Sequence, residues 1–237
     1  MSEKHRRQPE SDVWVKQCLD VFRHLDRQLS SFWDTQAVVR QEQMFVEIAD
    51  AVRRTEKELE ACNQIYPNNE GFSIFNTNAY AAFLYHLSHS IGSKGGAEHT
   101  RLADQIYYLN KIMNGVEWYW NIELPEHFLC EHPIGSVLGK AQYGDYLCVY
   151  QGVTVGANFR RETCIYPVLG DFVTLYANAT VLGESHIGNQ VVVAANAFVM
   201  NENIPDHCVV FGSSPNLTIR TYSEKEMQDK FMRIWKL

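Results

Sequence analysis

The residues whose types could carry chemistry lie in the C-terminal half of the chain, and His132 is the leading candidate. An imidazole has an unperturbed pKa of ~6.5, so at neutral pH it can accept the proton of a hydroxyl group that acts as a nucleophile. A carboxylate on the other ring nitrogen would fix the tautomer and stabilise the imidazolium that forms. Considered without the flanking sequence, His132 is more typical of a surface histidine at a corner of the chain than of a catalytic base. His127 lies close by in the sequence and stays open as its partner.

A second group with chemical potential is the pair Arg160 and Arg161. The two guanidinium groups could hold a carboxylate bidentately, or they could be a solvated part of a loop, and the sequence leaves both readings open. The six cysteines are scattered and form no C-x-x-C pair, so we expect no metal site. The formal net charge of −7 argues against nucleic acid or an anionic membrane as the main partner.

The element that must position these groups has a period of six residues. Aliphatic residues recur at every sixth position from Leu169 to Val199. The same period holds from Val137 to Val155, with Tyr143 in the remaining slot. No α-helix has this period, whereas a parallel β-helix does, because three short strands and three corners form each coil. We therefore expect these side chains to point inward and to stack on their copies in neighbouring coils.

The period of six breaks once, because the spacing between Val155 and Leu169 is not a multiple of six. This break predicts that residues 157–168 form a loop extruded from the β-helix. Long loops on rigid scaffolds often carry function.

The N-terminal half has the helical period instead, with apolar residues three and four positions apart. It predicts about four helices: from Ser11 or Asp12 to Phe32, from Asp34-Thr35 to Leu59, from Asn78 to Ile91, and from Ala97 to Met113. The expected fold class is α+β. We expect an α-helical domain over residues 1–116, a parallel β-helix domain over 117–220, and a C-terminal helical tail over 221–237.

The composition of the sequence favours a soluble cytoplasmic protein with reduced thiols. The first ten residues are polar, and no apolar segment typical of a secretory signal follows them. The longest nearly apolar run, from Val191 to Met200, is too short to cross a bilayer.

Four segments of the C-terminal half resemble the hexapeptide-repeat acyltransferases and, within them, the serine O-acetyltransferases. They are LCEHPIGSVLG (129–139), YQGVTVG (150–156), YANATVLG (176–183) and VFGSSPNLTI (210–219). These are similar to the family's segments LDHATGIVIG, hGVTLGG, GAGAKILG and AAGVPARIV, in that order, and the resemblance covers about residues 76–220. It implies a left-handed β-helix and an enzyme that moves acetyl from acetyl-CoA to the hydroxyl of a small, serine-like acceptor.

The resemblance also implies roles for three residues in catalysis. His132 is the general base, and Glu131 stands where the family has an aspartate. A further aspartate of the family, in the segment VDIHP, hydrogen-bonds the catalytic histidine. The segment NIELP (121–125) is similar to it if one hexad is missing before His132, and Glu123 then takes the place of that aspartate.

Coenzyme A lies, by the same resemblance, in a groove between neighbouring subunits, where small residues leave the backbone accessible. The implied contacts are Gly156, Ala157, Ala177 and Ala195. Corner geometry also requires small residues, so each of these positions has a structural alternative. The resemblance further implies a homotrimer, or two trimers joined by the helical half.

The extruded loop departs from the family. The serine enzymes carry a DRHP segment that helps to hold the amino acid, whereas TCIYP (163–167) stands here, with Tyr166 at the histidine position. The expected acceptor contacts are Glu131, Arg160, Arg161 and Tyr166. A sugar or another metabolite hydroxyl is an alternative acceptor, and a non-catalytic β-helix that only assembles partners is a third hypothesis.

Overall fold

A computed structural model describes residues 12–33, 41–63, 71–160 and 163–236. Its N-terminal half contains four helices: α1 (Asp12–Phe32), α2 (Gln41–Ala61), α3 (Thr77–Gly92) and α4 (Ala97–Asn114). The Asn76 side chain caps α3 by accepting the Ala79 N–H at 3.2 Å, and α4 ends at Gly115, whose φ is +64°. The predicted start of the second helix at residues 34–35 lies outside the described residues.

The C-terminal half is a left-handed parallel β-helix of about five coils, so the predicted fold class is confirmed. The strands of face A are β2 (Phe128–Glu131), β5 (Leu147–Tyr150), β10 (Val173–Leu175), β13 (Val191–Val193) and β16 (Cys208–Ser213). Those of face B are β1 (Glu117–Trp118), β3 (Val137–Leu138), β6 (Thr154–Gly156), β11 (Thr180–Leu182) and β14 (Phe198–Met200). Those of face C are β4 (Gln142–Tyr143), β9 (Val168–Leu169), β12 (His186–Ile187) and β15 (Asn203–Ile204).

The corners between these faces form three edges, which are named here by the strands they connect. The first edge joins face A to face B and contains residues 132–136, 151–153, 176–179 and 194–197. The second edge joins face B to face C and contains residues 139–141, 157–160, 163–167, 183–185 and 201–202. The third edge joins face C to face A and contains residues 144–146, 170–172, 188–190 and 205–207.

The inward columns follow the predicted period of six. On face A, Val149 pairs with Leu175 and Leu175 with Val193, and all three are 0% exposed. On face C, Tyr143 pairs with Leu169, as its slot in the period requires. Each buried aliphatic side chain contributes roughly 1.5–3 kcal/mol relative to an exposed one, so the stacked columns are the main source of stability.

The predicted inward position is wrong at one residue. Val137 is 37% exposed, and its neighbour Leu138 points inward instead, paired with Trp118 on one side and Val155 on the other. The physical reason is that the coil between Leu138 and Val149 is one residue shorter than the period of six requires. The inward position therefore moves from Val137 to the next residue, Leu138.

The remaining elements cover the β-helix. Strands β7 (Asn158–Arg160) and β8 (Thr163–Ile165) form an antiparallel hairpin in the predicted extruded loop. Strand β17 (Asn216–Thr221) pairs antiparallel with β16, and α5 (Glu224–Phe231) follows it. Phe231 and Trp235 are buried against face A, and the Lys236 N–H donates to Ala61 O at 2.8 Å, which ties the C-terminal segment to the end of α2.

None of the helices in the described parts of the chain combines the length and the apolar character needed to cross a membrane.

Candidate active site along one edge of the β-helix

His132 lies at the corner that follows β2, where the first edge begins. Its φ of +50° falls in the left-handed region, as do those of Asn178 and Asn196 at the same edge, so this conformation belongs to the corner and is not special to His132. The N–H of Gly135 donates to Gly115 O at 2.9 Å, which fixes the corner against the end of α4. The backbone therefore presents His132 from a rigid position.

The imidazole of His132 is exposed, and its surroundings leave it accessible. Among the residues that the structure describes, no hydrogen bond within the chain engages either of its ring nitrogens. Ile134 and Val137, which are 70% and 37% exposed, add apolar surface beside it. The ring is available to accept a proton from a ligand that binds at this edge.

Glu131 is the carboxylate next to His132, at the end of β2. Its side chain points outward and is half-buried. Burial raises the pKa of Glu131, although the charge of His132 opposes that rise. The Asn78 Nδ2 donates to Glu131 Oε2 over 3.4 Å, a long hydrogen bond that connects α3 to the site. A half-buried carboxylate with one weak partner is a suitable group for binding a polar ligand.

Glu123 does not lie where the sequence placed it, and its predicted pairing with His132 needs correction. Its carboxylate is 83% exposed and lies 3.6 Å from His89 Nε2. The Tyr85 hydroxyl donates to Ile122 O at 2.8 Å and accepts the Leu124 N–H at 3.0 Å, which holds the backbone on both sides of Glu123 against α3. This segment is a turn attached to the helices and not a shortened coil, so within one chain its carboxylate is not brought to His132.

His127, the other partner considered for His132, is engaged elsewhere. Its Nδ1 lies 2.8 Å from Asp145 Oδ2, and its ring stacks on Tyr146 with the ring centroids 4.3 Å apart. Asp145 and Tyr146 belong to the third edge, across face A from His132. The contacts of His127 therefore serve the third edge.

Sequence reasoning overlooked Glu117, a carboxylate on the coil that precedes His132. Glu117 begins β1 and pairs with Val137, while its N–H donates to Ser136 O at 2.9 Å. Within the chain its carboxylate lies 2.5 Å from Lys111 Nζ. One sequence pattern could have pointed to Glu117: an outward residue comes before a buried one both in Glu117-Trp118 and in Val137-Leu138. The pattern alone does not show that the two pairs are neighbours, and only the strand register does.

Two of the predicted coenzyme A contacts share the first edge with His132. Ala177 and Ala195 occupy equivalent positions in successive coils, and the Asn196 N–H donates to Ala177 O at 2.9 Å. Ala195 is exposed and Ala177 is half-buried. These two small side chains form a strip on the same edge as His132, two and three coils further along the β-helix.

The other two predicted contacts lie on a different edge. Gly156 ends β6, and Ala157 is the first residue of the second edge, where the β7–β8 hairpin departs. Within the described residues, a Cβ on Gly156 would meet only Leu182 Cδ2, at 3.8 Å, so packing inside the chain does not require glycine here. The four predicted contacts thus form two groups on two edges of one chain.

Two of the predicted acceptor contacts of the loop, Arg160 and Tyr166, lie on the second edge as well. Arg160 ends β7, and Arg161 lies outside the described residues. Tyr166 is 37% exposed, and Lys140 Nζ lies 5.4 Å from the centre of its ring. Glu131 and Tyr166 are therefore not neighbours within one chain.

An aromatic pair beside Glu131 also escaped the sequence reasoning. Tyr150 pairs with Glu131 across β2 and β5, and its ring centroid lies 4.9 Å from that of Tyr176 in the next coil. Each tyrosine directly follows an inward residue, Val149 or Leu175, so the period of six could have predicted that the two share an outward column. They form an aromatic wall between Glu131 and the Ala177–Ala195 strip.

Comparisons with known proteins point to one group of enzymes. No family model matches the chain. The serine acetyltransferase of Synechococcus elongatus is 34% identical over 106 residues, which are 44% of this chain and 43% of that protein. The serine acetyltransferase of Staphylococcus xylosus is 28% identical over 134 residues, which are 56% of this chain and 60% of that protein. The chain thus spans about half the length of the curated relatives that it matches.

Solved structures share the fold over most of the chain. The Neisseria gonorrhoeae serine acetyltransferase superposes with a TM-score of 0.63 at 16% identity, covering 92% of this chain and 96% of that one. The Entamoeba histolytica serine acetyltransferase 1, in complex with L-cysteine, gives a TM-score of 0.59 at 21% identity and covers 82% and 76%. The resemblance predicted from the sequence is confirmed, and at these identities the structures establish the fold alone.

Proposed function

We propose that the chain is an acetyl-CoA-dependent O-acetyltransferase that uses His132 as its general base and L-serine or a similar small hydroxyl compound as its acceptor. One observation carries the proposal: an exposed imidazole, whose ring makes no hydrogen bond with the described residues, lies at an edge of a β-helix shared with serine acetyltransferases. The sequence similarity to curated serine acetyltransferases supports the choice of acceptor.

In this reaction, His132 accepts the proton of the acceptor hydroxyl while the oxygen attacks the carbonyl carbon of the acetyl thioester. The C–S bond then breaks, the acetyl group stays on the acceptor oxygen, and the imidazolium returns its proton to the departing sulfur of coenzyme A. Positioned general-base catalysis of this kind contributes ~10²–10⁴ in rate. Glu131, adjacent to the base, holds the acceptor, and the strip at Ala177 and Ala195 holds the pantetheine arm through backbone groups.

The division of the predicted residues between two edges supports a site shared by two copies of the chain. His132 and Ala177 lie on the first edge, whereas Ala157 and Tyr166 lie on the second. Both groups line one cleft only where the first edge of one copy meets the second edge of the next. Three copies of the chain joined by three such contacts form a closed ring. We therefore propose a homotrimer, or two trimers joined through the helices. The molar mass in solution, measured by light scattering, tests this.

A sugar hydroxyl is the second candidate acceptor, and the loop supports it. Tyr166 stands where the serine enzymes have a histidine that helps to hold the amino acid, and it lies beside Lys140.

We further propose a cytoplasmic location for the protein. The six cysteines carry no disulfide, which supports this location.

The deciding experiment measures release of the free coenzyme A thiol from acetyl-CoA with L-serine, nucleotide sugars and free sugars as separate acceptors. We expect the wild type to turn over L-serine fastest and His132→Ala to lose that turnover. Turnover with a sugar but not with serine would replace the acceptor and keep the reaction class. An absence of turnover with every acceptor, together with no heat of coenzyme A binding in calorimetry, would leave the non-catalytic assembly protein.

A further inference from the structure

One side chain of the helical half, that of Asn78, contacts Glu131 of the candidate site. Asn78 is the second residue of α3, and its Nδ2 donates to Glu131 Oε2 over 3.4 Å. Its carbonyl oxygen accepts a hydrogen bond from Cys130 Sγ, also at 3.4 Å. The first turn of α3 is thus fastened to the last two residues of β2, directly before His132.

The position of Asn78 is set independently of this contact. Asn76 caps α3, and the Tyr80 N–H donates to Asn76 O at 2.8 Å, so the first turn is formed by its own hydrogen bonds. Asn110 of α4 donates to Ala81 O at 2.9 Å and ties α3 to its neighbouring helix. The Asn78 amide therefore reaches Glu131 from a preformed support, which is the arrangement that orients a ligand-binding group.

Asn78 gives Glu131 a neutral amide donor, whereas several other groups near Glu131 are buried thiols, which donate only weakly. Three buried thiols, those of Cys62, Cys130 and Cys148, lie close enough to Glu131 for its charge to affect them. Burial raises the pKa of Cys62 to about 12 and that of Cys130 well above its ordinary value, so these thiols stay neutral. His132 is the other titratable group that faces Glu131. The amide of Asn78 is the hydrogen-bond donor from the helical half.

We propose that Asn78 is a positioning residue that orients the Glu131 carboxylate toward the acceptor, so that the helical half completes the acceptor subsite. This inference rests on the proposed function, because it takes Glu131 as a group that contacts the acceptor. The Asn78–Glu131 hydrogen bond is long in the free chain and tightens when a ligand fixes the carboxylate.

Three variants separate positioning from a structural role. Asn78→Ala removes the donor, and Asn78→Asp keeps the shape but places a second carboxylate against Glu131. Asn76→Ala removes only the side-chain cap of the same helix end, keeps the backbone bond from the Tyr80 N–H to residue 76 that holds the first turn, and is the matched control. An acidic residue in the first turn favours a helix, so a purely structural role predicts that Asn78→Asp is at least as good as Asn78→Ala.

The kinetic experiment measures KM for the acceptor and for acetyl-CoA separately. We expect Asn78→Ala to raise the acceptor KM about tenfold and Asn78→Asp to raise it further, with the acetyl-CoA KM changed less than twofold. Asn76→Ala should leave the acceptor KM near that of the wild type. Equal effects of Asn76→Ala and Asn78→Ala, or a better enzyme with Asn78→Asp than with Asn78→Ala, would overturn the proposal.

A second measurement does not depend on turnover. A carboxyl NMR titration, with the Glu131 signal assigned by its loss in Glu131→Gln, reports the pKa of Glu131 in each variant. A hydrogen bond from Asn78 stabilises the ionised form, so its removal should raise that pKa, whereas Asn76→Ala should not. An unchanged pKa in Asn78→Ala overturns the inference even if the wild type acetylates nothing, while inactivity of the wild type alone counts against the proposed function.

Discussion

Two histidines five positions apart in the sequence stand at two different edges of the β-helix and have opposite surroundings. His127 is bonded through Nδ1 to Asp145 at 2.8 Å and stacks on Tyr146, so the chain itself satisfies one of its nitrogens and one of its ring faces. His132 is exposed and, within the described residues, has no hydrogen bond to its ring. The two side chains are of the same type, and the structure distinguishes them by the hydrogen bonds that their rings make within the described residues.

The two edges differ in the same way as their histidines. At the third edge, side chains close the corners: the Asp145 N–H donates to Asp171 Oδ1 at 2.8 Å and the Asp171 N–H to Asn189 Oδ1 at 2.9 Å. At the first edge, alanines occupy the equivalent steps at residues 177 and 195, and the next residues bond to each other, Asn178 Nδ2 donating to Asn196 Oδ1 at 3.1 Å. Acidic and amide side chains therefore bond the backbone of the corners at the third edge, whereas the alanines at the equivalent first-edge positions carry no group that could do so.

The largest effect that this contrast predicts is on catalysis. His132→Ala should lower kcat/KM by ~10²–10⁴, because the base that accepts the hydroxyl proton is removed. His127→Ala should change kcat/KM by less than about threefold, because its contacts all lie at the third edge. Steady-state assays of both variants with the same acceptor measure this, and a similar loss in both would abolish the distinction between the two histidines.

The next effect is on stability and belongs to the third edge. Asp145→Asn should lower the free energy of unfolding at pH 7 by about 1 kcal/mol, since Asp145 is 38% exposed and water weakens its pairing with His127. Urea unfolding of both proteins measures the difference. His132→Ala, the matched control at the first edge, should unfold at the same urea concentration as the wild type.

The pH dependence of that difference has a definite sign. Burial would raise the pKa of Asp145, but the hydrogen bonds from the His127 side chain and N–H outweigh it and hold the pKa below its usual value. A lowered folded pKa gives stability that is fully present above the unfolded pKa of ~3.9 and is lost as the pH falls through the folded value. The gap between wild type and Asp145→Asn should therefore close in acid, and a gap that widens there would contradict the assignment.

Much of the fold was predictable from the sequence because it depends on local repetition. The inward columns through Val149 and Val155 follow from the period of six, and the resemblance adds the handedness. The register at Val137 and Leu138 was not predictable, because a coil one residue shorter changes the inward residue without changing the composition of the segment. Only the pairing with Trp118 and Val155 settles it.

The site was predictable only where a single segment carries it. His132 and Glu131 are adjacent in the sequence, so their proximity does not depend on the fold; Glu131 ends β2 and His132 begins the first edge. The contacts of Asn78 and Glu123 depend on how the helices meet the β-helix, and nothing in the local pattern encodes that meeting. Asn78 was therefore overlooked, and Glu123 was given a partner that the fold does not bring to it.

The smallest predicted effect concerns the exposed carboxylate of Glu123. It tests the contrast between side chains that are bonded within the chain and side chains that are accessible to a ligand. Glu123→Gln should leave kcat/KM within about twofold of the wild type, because the carboxylate is 83% exposed and a surface ion pair such as that with His89 contributes little. Glu117→Gln is the informative counterpart, because Glu117 lies on the strand that pairs with β3, directly after the His132 corner. Steady-state assays of both variants at several pH values compare them. If the carboxylate on the preceding coil supports the base, Glu117→Gln lowers kcat and Glu123→Gln does not. A loss of more than tenfold in Glu123→Gln alone would mean that the assembled protein moves this turn to the first edge, and the separation described for the single chain would no longer hold in the enzyme.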